Sequence, residues 1–360
     1  MNITKGFFIL LTFTFCINTT YSQKVQVELP GTQVINFKSA INGQDYELYI
    51  SLPGSSSDIS KRYPVFYALD GEWGFAVACS VYGSLVYEGS VPEMIIVGIG
   101  WRNKTEASRN RDFSSIAMPG DPNSGGAAKF LNVLKTEIIK RVDSGFQSDK
   151  KNNTLSGGSL AGFFALYALF HEPGLFNRYI LASPALQSDD DITFKTEKSF
   201  AERNHTLNAK IFISSSEVEE SLFPVTNFQK FISQLKASNY KGLDLDTLVV
   251  EEMSHASEGP YSIARGLQFL FSKPNLKLNT LLLDQYAGHY EQDWLITRTD
   301  SSLYINMFGG KARLYAETNE DFYVKGAPVT CQFQKDNKGK VRGFNLKFFS
   351  NNMTFMKKLD

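Results

Sequence analysis

Histidine and cysteine are scarce in this 360-residue chain, which has four of the first and three of the second. No Cys-x-x-Cys or His-x-x-x-His spacing occurs, so a metal site has no support and no cofactor is expected. Cys79 and Cys331 fall in regions of different pattern, and Cys16 lies in a segment expected to be removed, so a disulfide framework is not expected either. Net charge is also missing. Lys+Arg and Asp+Glu both count 37, which leaves no basic excess for a nucleic-acid partner. One ten-residue apolar run near the start is too short to span a bilayer, and no other stretch is long and apolar enough to cross one. There is no internal repeat and no low-complexity tract.

What remains is ordinary globular composition, 42% apolar and 21% charged. The length suits one large domain, or a medium domain with a small one. The short run is FFILLTFTFC, residues 7–16, preceded by Lys5 and followed by polar residues. That is the length of a signal-peptide core. Cleavage after Ser22 is expected, giving a secreted or periplasmic protein with no remaining membrane span. A lipid anchor on Cys16 is disfavoured by the bulky Phe15 before it.

Residues 33–50 and 65–69 read as strands, separated by the breaker LPGSSSD. Residues 94–99 (MIIVGI) form a continuous apolar run, suited to a parallel strand buried on both faces. Residues 127–142 have helical periodicity through Phe130, Leu134, Ile138 and Val142. A short strand at 154–157 leads into a nearly all-apolar helix at 162–171. Further strands are read at 178–182, 210–214 and 247–251, with a helix bearing Phe228, Phe231, Ile232 and Leu235 before the last. Alternating strands and helices predict an α/β fold with a mostly parallel sheet. After about Lys273 the pattern becomes short alternating stretches with turns, which predicts a small antiparallel β unit. The expected organisation is a signal segment (1–22), a catalytic domain (23–272) and an accessory β domain (273–360).

Where the 154–157 strand meets its helix the chain reads Gly157-Gly158-Ser159-Leu160-Ala161-Gly162. A nucleophile on a tight strand-to-helix turn needs small residues two before and two after it, and Gly157 and Ala161 supply them. Ser159 is thus the candidate nucleophile. Of the four histidines, His255 lies in a loop after the last strand of the α/β region, the place for a general base. His171 ends a helix, His205 sits in a polar stretch and His289 falls in the β unit. The orienting acid is sought after the 210–214 strand, where Glu217, Glu219 and Glu220 cluster; Glu219 is preferred, then Glu217. Backbone N–H donors for an oxyanion are expected at Leu160 and, in the loop after PVFYALD, at Glu72 or Trp73. Arg109 and Asp112 either line the cleft or pair with each other on the surface; the second is preferred.

With Ser159 and His255 placed, residues 64–75, 109–112, 125–137, 154–184 and 211–220 resemble the Putative esterase family of α/β hydrolases. Its members include siderophore-ester hydrolases, feruloyl and acetyl-xylan esterases, S-formylglutathione hydrolase and mycolyltransferases. The resemblance covers about 33–272. It implies an α/β-hydrolase fold and, where Ser216-Glu217-Val218-Glu219-Glu220 overlays the family's strand-end motif, Glu219 as the acid. Two departures stand out: Ala185-Leu186 replaces a frequent large aromatic, and Asn153 a frequent arginine. The β unit is similar to a small domain appended to bacterial serine hydrolases, which would make His289 structural. The expected activity is hydrolysis of a small-molecule or glycan-linked carboxylic ester through an acyl-enzyme. Acyl transfer on the same fold, or a binding module without catalysis, are the alternatives.

Overall fold

Ser39 ends the first strand by taking the backbone N–H groups of Ile41 and Asn42 on its hydroxyl, at 3.2 and 3.3 Å, which turns the chain back on itself. The stretch read as strand over 33–50 is therefore a hairpin, β1 (Thr32–Lys38) and β2 (Asp45–Ser51), paired antiparallel. The computed structural model describes residues 28–117, 119–186, 192–219, 224–348 and 352–359. The expected signal segment, 1–22, lies outside them.

The α/β region continues with β3 (Tyr63–Ala68), α1 (Gly71–Tyr87), β4 (Ile95–Trp101), α2 (Glu106–Phe113), α3 (Ala127–Val133) and α4 (Ile139–Gly145), the last two joined through a π turn. Then come β5 (Ser148–Gly158), α5 (Leu160–His171), β6 (Arg178–Ala182) and α6 (Ile192–Ala201). β7 (Thr206–Ser216), α7 (Val225–Ala237), β8 (Lys241–Val250) and α8 (Glu258–Leu270) complete it. The sheet order is β1-β2-β4-β3-β5-β6-β7-β8. β2 runs antiparallel to β4, and from β4 onward all neighbours are parallel.

Alternation along β3 and its continuation to Leu69 shows why the central strands are apolar at the site end of the sheet. Val65, Tyr67 and Leu69 pack into a core with Phe130, Leu134, Phe164 and Phe231, while Phe66 and Ala68 face Phe75, Tyr82 and Leu267. One face is covered by α1 and α8, the other by the helices from α3 to α7, so a residue of a central strand such as β3 is buried whichever way it points.

The second sheet follows α9 (Thr280–Tyr286), a short helix within the stretch that the sequence pattern gives entirely to β structure. Its strands are β9 (Gly288–His289), β10 (Leu295–Thr299), β11 (Ser302–Met307), β12 (Gly310–Ala316), β13 (Asp321–Val324), β14 (Val329–Lys335), β15 (Val341–Phe348) and β16 (Met353–Lys357). All pair antiparallel with their chain neighbours. A bridge between Tyr290 and Lys358, with the Leu359 N–H donating to the His289 carbonyl at 2.9 Å, closes the ladder into a barrel. Its interior is aromatic: Tyr286 stacks on Phe333 with ring centroids 4.1 Å apart, and Phe344 packs edge-on to Tyr290 at 4.8 Å. The helix α9 delivers Leu283 and Tyr286 to that core.

Candidate active site

The turn between β5 and α5 has the steric tightness that its small residues imply. A Cβ on Gly157 would lie 2.7 Å from the backbone of Ala161, and Ala161 itself is fully buried. Ser159 sits between them at φ 54°, ψ −124°, a conformation costly for a residue with a side chain. It is held there from three sides. Its N–H donates to the Ala182 carbonyl at 3.0 Å, and its own carbonyl accepts from Phe163 (2.9 Å) and Ala185 (3.1 Å). Ser159 stays half-exposed while the helix behind it, from Ala161 to Leu169, is almost entirely buried. Leu160 is the first residue of that helix, so its N–H belongs to the unpaired first turn at the positive end of the helix dipole.

Because β3 pairs in parallel with β5, with Ala68 opposite Ser156, the turn after β3 stands next to the Ser159 turn at the carboxyl end of the sheet. Glu72 and Trp73 prove to lie not in a loop but in the first turn of α1. Asp70 launches that helix from the left-handed region at φ 53°, ψ 50°. The Trp73 N–H donates to the Asp70 carbonyl at 2.9 Å, and the Glu72 N–H faces its own carboxylate. The Trp73 amide thus has a partner within its own turn, and both residues stand at the positive end of the α1 dipole. Gly71 must be glycine, since a Cβ there would come within 2.8 Å of the backbone of Gly98 and Ile99 on β4. The Glu72 carboxylate accepts from the Trp101 N–H at 2.7 Å, fixing α1 to the end of β4; its pKa is raised by burial.

His255 lies half-buried in the loop between β8 and α8. Two hydrogen bonds tie this loop to the end of β7. The Ser216 hydroxyl donates to the Met253 carbonyl, and the Glu252 N–H donates to the Glu217 carboxylate at 3.2 Å. Glu217 is thereby engaged with backbone. Glu219 closes a single 3-10 turn, Glu217–Glu219, that follows β7; its side chain and the whole of Glu220 lie outside the described residues. Ser159, the acidic turn and His255 therefore all occupy carboxyl ends of parallel strands, where such sheets place their sites. None of the described hydrogen bonds of Ser159 reaches His255.

Arg109 and Asp112 are not each other's partners. The Arg109 guanidinium grips the Asp70 carboxylate through Nε (2.9 Å) and NH2 (3.0 Å), and NH2 also donates to the Gly158 carbonyl at 3.4 Å. Its face lies against the rings of Trp73 (5.9 Å) and Phe113 (5.8 Å). Asp112 is 1% exposed and accepts from Arg111 twice at 2.8 Å, and from the Tyr46 hydroxyl and the Trp101 indole N–H at 2.7 Å each. A surface pair between Arg109 and Asp112 is thus replaced by two largely buried clusters, because α2 turns the two residues to different neighbours. Ala185 and Leu186 are both buried, and Asn153 is buried within β5. Two grooves of about 540 and 520 Å³ lie elsewhere, where residues 87–91 approach Tyr323 and Pro328 of the barrel.

The chain is 26% identical over 260 residues to the ferri-bacillibactin esterase BesA of Bacillus subtilis, covering 67% of this chain and 90% of that protein. It is also 26% identical to the siderophore triacetylfusarinine C esterase of Aspergillus fumigatus, over 54% of this chain and 70% of the relative. Among solved structures it matches the BES protein of Bacillus cereus with TM-score 0.63 and 27% identity, over 70% of this chain and 98% of that one. An IroE-like serine hydrolase from Shewanella oneidensis matches with TM-score 0.61 and 24% identity, over 71% of this chain and 85% of that one, a likeness of fold. These relatives give no support to a glycan-linked substrate. Together with a family model that spans residues 39–256, they show that the chain belongs to the Putative esterase family.

Proposed function

We propose that the chain is a serine esterase that opens the ester bonds of a siderophore, with Ser159 as nucleophile, His255 as base and Glu219 as orienting acid. The observation that carries the reading is the strained Ser159 turn, half-exposed at the end of β5 with a buried helix behind it. Strain of this kind persists where surrounding structure enforces it, and here three backbone hydrogen bonds do so. The siderophore assignment is supported by the names of BesA and the Aspergillus enzyme.

In this mechanism His255 takes the Ser159 proton as Oγ attacks the ester carbonyl. Negative charge collects on the carbonyl oxygen, facing the Leu160 N–H and a first-turn amide of α1 at Glu72 or Trp73. The C–O bond then breaks, and the imidazolium returns its proton to the departing alkoxide. Water, deprotonated by His255, releases the acid and restores the serine. We place this chemistry in a domain preceding residue 273, on an exported chain cleaved after Ser22.

The test is a hydrolysis screen with purified protein over a catecholate trilactone, a hydroxamate ester siderophore, a feruloyl ester and an acetylated sugar. Turnover of either siderophore at least tenfold above the other esters, abolished in Ser159→Ala, is the expected result. Preference for the acetylated sugar would overturn the substrate assignment. Full activity of Ser159→Ala would overturn the mechanism.

A further inference from the structure

Oxyanion catalysis needs two N–H donors from different parts of the chain held at a fixed separation. If Ser159 is the nucleophile, as proposed above, one donor rides on the β5–α5 turn and the other on the first turn of α1. The β3–β5 ladder carries both turns but stops short of them, with Leu69 N–H on Ser156 at 2.9 Å as its last rung. Beyond that rung, what spans the two turns is a side chain from a third element. Arg109, on α2, holds the Asp70 carboxylate with two N–H groups and the Gly158 carbonyl with one of them. Asp70 immediately precedes Gly71, and Gly158 immediately precedes Ser159.

We infer that Arg109 is a positioning residue for ester hydrolysis: its guanidinium clamps the turn before Gly71 to the turn before Ser159 and so sets the width of the oxyanion site. Its side chain is only 14% exposed and that of Asp70 12%, so the clamp lies mostly out of water. The Trp73 and Phe113 rings hold the guanidinium plane. A lysine could match the charge but not the fork, since an ammonium is a single point of charge. The opposite side of the α1 turn is already fixed by Glu72 on the Trp101 N–H, so loss of Arg109 should loosen one edge of the site without unfolding the helix.

The clamp acts on the transition state, so its removal should lower kcat and spare KM. The experiment measures both for Arg109→Ala and Arg109→Lys on p-nitrophenyl butyrate, per active site titrated with a fluorophosphonate, beside wild type and Ser159→Ala. The expected result is a ten- to hundredfold fall in kcat for Arg109→Ala, a KM within threefold, and partial recovery with added methylguanidinium. Affinity for a trifluoromethyl ketone, which mimics the tetrahedral state, should fall in step with kcat/KM. Arg109→Lys, retaining the stem and the charge, should fold and still lose about tenfold. Unchanged kcat in both variants overturns the inference. So does a rise in KM alone, which would make Arg109 a substrate contact, or a deficit that vanishes on correction for titrated sites. Failure of the underlying serine reading is seen separately, as activity retained by Ser159→Ala.

Discussion

Gly157 faces the backbone of Ala161 so closely that a Cβ placed on it would lie 2.7 Å from that residue's carbonyl carbon and oxygen. The two are separated by one turn of chain, and Ser159 is the residue squeezed between them. Gly157→Ala should therefore cost about 1–3 kcal/mol, the range for overpacking a tight site. Urea unfolding should show the lower midpoint with an unchanged slope, and a midpoint equal to wild type would mean that the turn yields.

Ser159→Ala and His255→Ala should each reduce turnover to near background without loss of fold, because an unassisted hydroxyl is a weak nucleophile. Losses on the order of 10⁶ for these and 10⁴ for the acid are known for a serine triad, and they do not add. The double variant should be scarcely worse than either single one. Glu219→Gln should cost less than His255→Ala. A silent Glu219→Gln beside a crippling Glu217→Gln would move the acid to Glu217, despite its bond to the Glu252 amide.

Asp112→Ala should be the most destabilising of these changes. It leaves the Arg111 guanidinium, the Tyr46 hydroxyl and the Trp101 indole N–H without their common acceptor. Removing one partner of a buried charge pair costs about 3–5 kcal/mol. Calorimetry should show it, while kcat per titrated active site stays within a few fold of wild type.

Burial pushes the Cys331 thiol up to about 12, and Cys79 is shifted upward for the same reason. A thiol raised in the folded state stays protonated at pH 8, and the stability it contributes is lost only as pH climbs above the unfolded thiol value. Ellman's reagent at pH 8 should therefore leave Cys331 silent until the protein is unfolded. After unfolding, protein exported by its source cell should titrate two thiols. A third would show that Cys16, and with it the 1–22 segment, is retained.

A chain ending at Pro274 should keep its esterase activity if the barrel is an accessory. Among the described residues, the links across that point include Tyr323 Oη on the Lys273 and Pro274 carbonyls, the Lys273–Glu317 pair at 3.8 Å, and the approach of Gly89 to Pro328. Soluble protein with under a tenth of wild-type kcat/KM would assign the barrel a part in catalysis.

The sheet was readable from sequence wherever a strand is buried on both faces. β6 matches the expected 178–182 to the residue, because its apolar run has no solvent side to interrupt it. β5 begins six residues before its expected start, since SDKKNN is polar and its Lys150 and Lys151 are exposed. α9 escaped notice because seven residues give too few turns for a period to show. At the site, the small residues around Ser159 follow from local sterics and were legible. The partner of Arg109 was not. Asp112 stands one helical turn away in sequence, whereas Asp70 is 39 residues distant and reached only once β3, β4 and α2 are assembled. What DGEWGF does not announce is that α1 begins at Gly71, so that Glu72 and Trp73 stand in the first turn of a helix and not in a loop.

The seam at Tyr290 and Lys358 governs the order in which the barrel can form. Every other pairing joins neighbours in the chain, so the ladder can grow hairpin by hairpin with small loops to close. The seam instead joins the first strand to the residues after the last, and it cannot close until all eight strands are in place. Until then β9 and β16 both present open edges, which are templates for pairing with another molecule. A truncation before Met353 would make that transient state permanent, converting a closed barrel into an adhesive sheet.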